Sequence, residues 1–176
     1  MYMCHKHVLC IYKHTYTNTV KNYIIRPMQV TTVLATTIRL PTTEEVRKLS
    51  MSDIAIASGL ADELRDRLRE YIHIDPYCVP DPFGEKDDYN YSIVLDTENP
   101  NSVVAIFVNK KDSPLPELPW SAILGKRLVK VPIGKQEAYA LKHELMPKET
   151  NNFYPYRRNG RIFGYMMFAF QICGQR

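Results

Sequence analysis

A chain of 176 residues, 45% hydrophobic and 24% charged, has the make-up of an ordinary globular protein rather than a disordered one, and its length suits one domain with an appendage. A formal net charge of +4 is too small to mark a general polyanion binder. No uncharged apolar run approaches the ~18 residues of a membrane-spanning helix. The charge is nevertheless sorted by position: residues 1–43 hold five Lys/Arg and no acid, residues 44–149 hold all nineteen Asp/Glu against fourteen Lys/Arg, and residues 150–176 hold four arginines and no acid. Acid-free ends around an acidic middle suit targeting or contact with anions, and they specify no reaction.

Residues 1–29 form an irregular basic leader. Its apolar stretch 8–12 is shorter than the roughly 7–15 residues of a secretory signal core. Acid-poor, basic and hydroxyl-rich, it reads as a mitochondrial presequence, or, if Met28 is the true start, as a non-native upstream extension. The first reading gives a mitochondrial address and the second a cytoplasmic one. Cys4, His7, Cys10 and His14 are zinc-type donors, but they crowd into a stretch too short to wrap a metal, and chance clustering in a His/Cys-rich leader explains them. No metal and no cofactor is assigned. With Cys78 and Cys173 the cysteines number four, scattered and without a CxxC pair, so reduced thiols are expected.

From residue 30 to 176 the pattern is that of a single α+β domain, a mainly antiparallel sheet with two to four helices. Residues 30–40 are rich in β-branched side chains and predict a strand closed by Pro41. Thr42-Thr43-Glu44-Glu45 is a capping box that opens a short helix. Ser50 or Ser52 starts another, which Gly59 is expected to interrupt. Leu60, Leu64, Leu68, Tyr71 and Ile72 then fall on one helical stripe, opposite a face of Asp62, Glu63, Arg65, Asp66, Arg67, Arg69 and Glu70. Pro76, Pro80 and Pro82 open a loop. Residues 89–96 and 102–109 predict a hairpin around a five-residue turn, 97–101. A Pro-punctuated connector, a short strand at 128–133 and a helix at 136–146 carrying Ala138, Leu141 and Leu145 follow. Asn159-Gly160 marks a type I′ turn between strands 153–157 and 162–173. The latter is apolar nearly throughout and belongs inside a sheet, whereas Pro155 puts its partner at an edge.

Few of these features carry chemistry. Residues 52–70 resemble a helix-turn-helix, with Ala55, Gly59 and Leu60 where its first helix and tight turn would place them. Leu64 arrives one residue early, however, and Asp62, Glu63, Asp66 and Glu70 oppose a phosphate field, so double-stranded DNA is disfavoured. Cys78 with His143 as base would be the nucleophile of a small hydrolase-type enzyme. Asp75, Asp81, Glu85, Asp87 and Asp88 match no EF-hand spacing and read as a solvated acidic loop. Pro116-Glu117-Leu118-Pro119 fits P-x-x-P in form only.

The best local site is the C-terminal hairpin tip. Arg157, Arg158 and Arg161 flank the turn, with Tyr154, Tyr156 and Tyr165 beside them and no acid nearby in sequence. Guanidinium forks pair with phosphates and carboxylates, and aromatic faces stack on unpaired bases. The sequence therefore points to a non-catalytic binding or scaffold subunit that contacts an acidic macromolecule, RNA or protein, in a larger assembly.

Overall fold

The computed structural model describes residues 38–84, 88–112, 118–146 and 152–173. The chain falls into two compact units, Met1–Pro41 and Thr42–Arg176. In the first, only 38–41 are described, and they take up neither helix nor strand. The leader, its Cys4/His7/Cys10/His14 group and most of the expected strand at 30–40 lie outside the described residues, as do Glu85, Asp87 and the first half of the P-x-x-P stretch, Pro116 and Glu117.

The second unit begins where its capping chemistry predicts. The Thr42 hydroxyl accepts from the Glu45 N–H at 3.1 Å, and the Glu45 carboxylate accepts from the Thr42 N–H at 2.8 Å, which starts α1 (Thr43–Arg47). Ser50 and Asp53 repeat the exchange at 3.1 and 3.3 Å and start α2 (Met51–Arg69).

Helix α2 runs unbroken through Gly59. The expected interruption is absent, and with it the tight turn of the helix-turn-helix, so that reading is overturned. A mid-helix glycine costs about 1 kcal/mol. Here it sits exposed, with open space where a Cβ would stand. Burial of Ala57, Ala61, Leu64 and Leu68, each 0% exposed, outweighs that cost. Ion pairs at Glu63–Arg67 (3.6 Å) and Asp66–Arg69 (3.5 Å) line the solvent face as expected. Arg65 also pairs with Asp62 as expected, at 2.5 Å, but its side chain is buried. Its guanidinium lies 5.5 Å from the Phe168 ring centroid and donates to the Gln171 side-chain oxygen at 3.0 Å.

Six strands, β1 (His73–Ile74), β2 (Tyr89–Asp96), β3 (Asn99–Lys110), β4 (Leu128–Ile133), β5 (Tyr154–Arg158) and β6 (Arg161–Phe168), form one sheet in the order β1-β5-β6-β3-β2-β4. Every pairing is antiparallel. The register sets Val131, Ile93, Ile106 and Met167 in one row across the sheet and Lys130, Val94, Ala105 and Phe168 in the next. Successive rows point to opposite faces. Residues 91–96 and 102–108 are buried without interruption, which requires cover on both faces. Helix α2 packs on β3 and β6 and against α3 (Trp120–Leu124), which packs on β4, whereas α4 (Lys135–Leu145) packs on β2 and β3 with α1 beside it. A fork from Arg47 to Glu144 (2.6 and 3.1 Å) ties α1 to α4 and holds the Glu144 carboxyl below its ordinary range.

Three boundaries differ from expectation, each for a local reason. The β2–β3 turn spans Thr97-Glu98 instead of five residues, because Asp96, fully buried, draws the chain tight. Its carboxylate accepts from Arg127 at 2.9 and 3.0 Å and from the Glu98 N–H at 3.0 Å. Strand β5 is one place in from the edge, because the two-residue β1 pairs outside it. Pro155 is tolerated there, its carbonyl accepting from the Asp75 N–H at 2.9 Å. Strand β6 stops at Phe168, where Phe170 (φ 57°) turns the chain back onto α2, and the Gln171 amide donates to the Ser58 carbonyl at 2.9 Å.

That return carries Cys173 to Cys78, with which it forms a disulfide between Cα atoms 6.1 Å apart. The expectation of reduced thiols is overturned for this pair. The two cysteines are 95 positions apart, and only the fold brings them together.

Gly164 is required by close approach. A Cβ there would stand 2.9 Å from both the Asn109 Cα and the Tyr156 hydroxyl. Backbone cannot yield cheaply, so Gly164→Ala is expected to cost about 2–3 kcal/mol by overpacking. Urea unfolding checks it; an unchanged midpoint would mean that β3 and β6 have room to spare.

Candidate binding surface at one end of the sheet

The antiparallel register brings the end of β3, the start of β6, the end of β5 and the start of β2 to the same end of the sheet. There the β5–β6 hairpin closes through Asn159 (φ 53°) and Gly160 (φ 77°), the two positive φ values of a type I′ turn. Arg158 and Arg161 face each other across the last pair of the ladder and are exposed. Among the described residues neither meets an acidic side chain. Lys110, paired with Tyr89, adds a further positive charge to this end of the sheet.

The other sequence-predicted residues part company. Tyr154 and Tyr156 are 6% and 2% exposed and belong to the core beneath α2, so neither offers a ring to a partner. Burial pushes the Tyr156 hydroxyl well above the ordinary tyrosine range, and it stays protonated. Arg157 lies on the opposite face of β5 and donates from Nε to both oxygens of Asp75 at 3.1 Å. His73 approaches the same carboxylate at 3.3 Å. Arg157 is thus largely neutralised, and the unpaired charge of the tip comes down to Arg158 and Arg161.

Beside Arg157 opens a cleft of 380 Å³ that the sequence did not reveal. Its wall is the proline-punctuated segment from Asp75 to Pro82, and Tyr77, Tyr89 and Tyr165 line it with Ile162. The Tyr89 and Tyr165 rings meet edge to face with centroids 6.3 Å apart. Tyr77 is 82% exposed. Asp81, also in the wall, accepts from the Phe83 N–H at 2.7 Å and pairs with Lys142. The Lys142 ammonium lies 5.6 to 6.0 Å from the ring centroids of Phe83, Tyr139 and Phe153, and burial lowers its pKa. The two described carboxylates of the cleft, Asp75 and Asp81, are therefore held by cations behind them.

The hydrolase-type alternative loses its nucleophile, because Cys78 is disulfide-bonded and has no thiolate to offer. His143 is exposed on α4 with its ring edge-on to Tyr139, centroids 4.7 Å apart. Among the described residues no group of three or more His, Cys, Asp or Glu side chains is placed to hold a metal ion. No described helix is long and apolar enough to cross a membrane. Comparison with protein-family models, with curated proteins and with solved structures gives no match for this chain.

Proposed function

We propose that the protein is a non-catalytic binding subunit that holds an acidic macromolecular partner through the β5–β6 hairpin. The observation that carries this reading is the exposure of Arg158 and Arg161 without an acidic counterpart among the described residues, on a turn whose geometry is fixed by Asn159 and Gly160. Elsewhere in the described fold the guanidinium groups of Arg47, Arg65, Arg67, Arg69, Arg127 and Arg157 are all engaged by carboxylates. A free pair on a rigid support costs little ordering when it binds. Guanidinium forks match phosphate and carboxylate geometry equally, so the tip selects for charge before it selects for partner class.

Retention on a heparin column tests the reading. The wild-type protein should be retained at low salt and released as salt rises, since the contact is electrostatic. The variant Arg158→Glu/Arg161→Glu should pass through unretained. Equal elution of the two would place the anion contact elsewhere on the chain and overturn the reading.

A further inference from the structure

We infer that the cleft between the β5–β6 hairpin and the segment from Asp75 to Pro82 is a stacking subsite for an unpaired base of a single-stranded RNA whose phosphates run over Arg158 and Arg161. The inference rests on the hairpin reading above and adds to it a class of partner and a second site. The cleft has the chemistry for a planar ring. Tyr77, Tyr89 and Tyr165 all line it, and its 380 Å³ lies at the small end of the range for ligand pockets. Tyrosine faces stack on any base, because every base has a π-face.

Tyr77 is the most informative of the three. A tyrosine side chain left 82% exposed surrenders the burial its ring would gain in a core, and among the described residues no other ring contacts it. It is also held in place, since its neighbour Cys78 is bonded to Cys173 and Val79 donates its N–H to the Phe153 carbonyl at 2.8 Å. An exposed ring on an anchored segment is preorganised for stacking.

The electrostatics favour RNA over an acidic protein. An incoming peptide would set its carboxylates beside Asp75 and Asp81 and leave the three rings without a complement. A nucleic-acid strand separates its charge from its bases. The phosphates, crossing the hairpin tip, then meet Arg158 and Arg161, the ladder pair next to Arg157 and Ile162 of the cleft lining, and the uncharged base enters past carboxylates already neutralised by Arg157 and Lys142.

Fluorescence anisotropy with three probes separates the possibilities: a fluorescein-labelled twelve-residue oligoadenylate, polyphosphate of similar charge, and polyglutamate. The oligoadenylate should bind about tenfold more tightly than polyphosphate, the difference being the contribution of one stacked base. Tyr77→Ala, at a side chain with no core to disturb, should remove that tenfold advantage and leave polyphosphate binding unchanged. Arg158→Gln/Arg161→Gln should weaken both. Equal binding of oligoadenylate and polyphosphate, unaffected by Tyr77→Ala, would overturn the base subsite while leaving the hairpin contact standing. Polyglutamate binding as tightly as oligoadenylate would do the same and assign the surface to an acidic protein. Affinities for all three probes unchanged in the arginine variant would overturn both proposals together.

Discussion

Replacing Cys78 and Cys173 by serine is expected to destabilise the fold by about 4 kcal/mol, a drop in the thermal midpoint on the order of 15 °C. The two residues are 95 positions apart, and a cross-link closing so long a loop removes much of the freedom of the unfolded chain. Their Cα separation of 6.1 Å lies within the range that a disulfide accommodates without moving the backbone. The bond also joins two segments with little regular structure of their own. On one side stands the proline-punctuated wall of the tyrosine cleft, and on the other the return that follows β6. The return has other anchors, including the Phe170 N–H to the Leu145 carbonyl at 3.0 Å and the Gln171 contacts to α2. The sheet should therefore survive reduction at a lower midpoint. Unfolding of the wild-type protein with and without reductant is the check. Superimposable curves would show that the bond does not form in solution or that the loop is already ordered when unfolded.

The elements that local chemistry dictates were legible in the sequence. Thr42 with Glu45 announced α1, and Asn159-Gly160 announced the hairpin between β5 and β6; each depends only on residues within one turn of the chain. Gly59 was misread because propensity is a weak prior, and burial of Leu64 and Leu68 on the same helix overrides it. Arg65 was placed in solvent because nothing in its own segment signals Gln171, more than a hundred residues later, which accepts from it. Cys78 and Cys173 fell to the same limit, as their pairing depends on tertiary structure alone.

The candidate site was half legible. Arg158 and Arg161 stand where the turn chemistry put them. Tyr154 and Tyr156 lie two residues apart on one strand, so strand periodicity alone placed their side chains on one face and Pro155 and Arg157 on the other. That signal was available to separate the core tyrosines from the cleft. Neutralisation of Arg157 by Asp75 was not, because it requires β1 to pair beside β5. Nor was the meeting of Tyr77, Tyr89 and Tyr165, which come from three separate stretches of chain.

Reversing charge at the hairpin tip should abolish partner capture without disturbing the fold. Arg158 and Arg161 are exposed on a turn outside the core, where substitutions usually stay within about 0.5 kcal/mol. Desolvated arginines at an interface, by contrast, are commonly worth ~2 kcal/mol or more each, so losing both and adding repulsion lowers affinity at least a thousandfold. Arg157 is left unchanged, since a glutamate there would face Asp75 and disturb the cleft wall. The most direct measurement is an affinity pulldown of the tagged full chain beside Arg158→Glu/Arg161→Glu, with protein and RNA both identified in the eluate and circular dichroism recorded on the same preparations. A partner that is recovered with the wild type, released by salt and lost from the folded variant is the expected result. Undiminished recovery of that partner with a variant of unchanged spectrum would contradict the assignment of the hairpin tip as the contact surface.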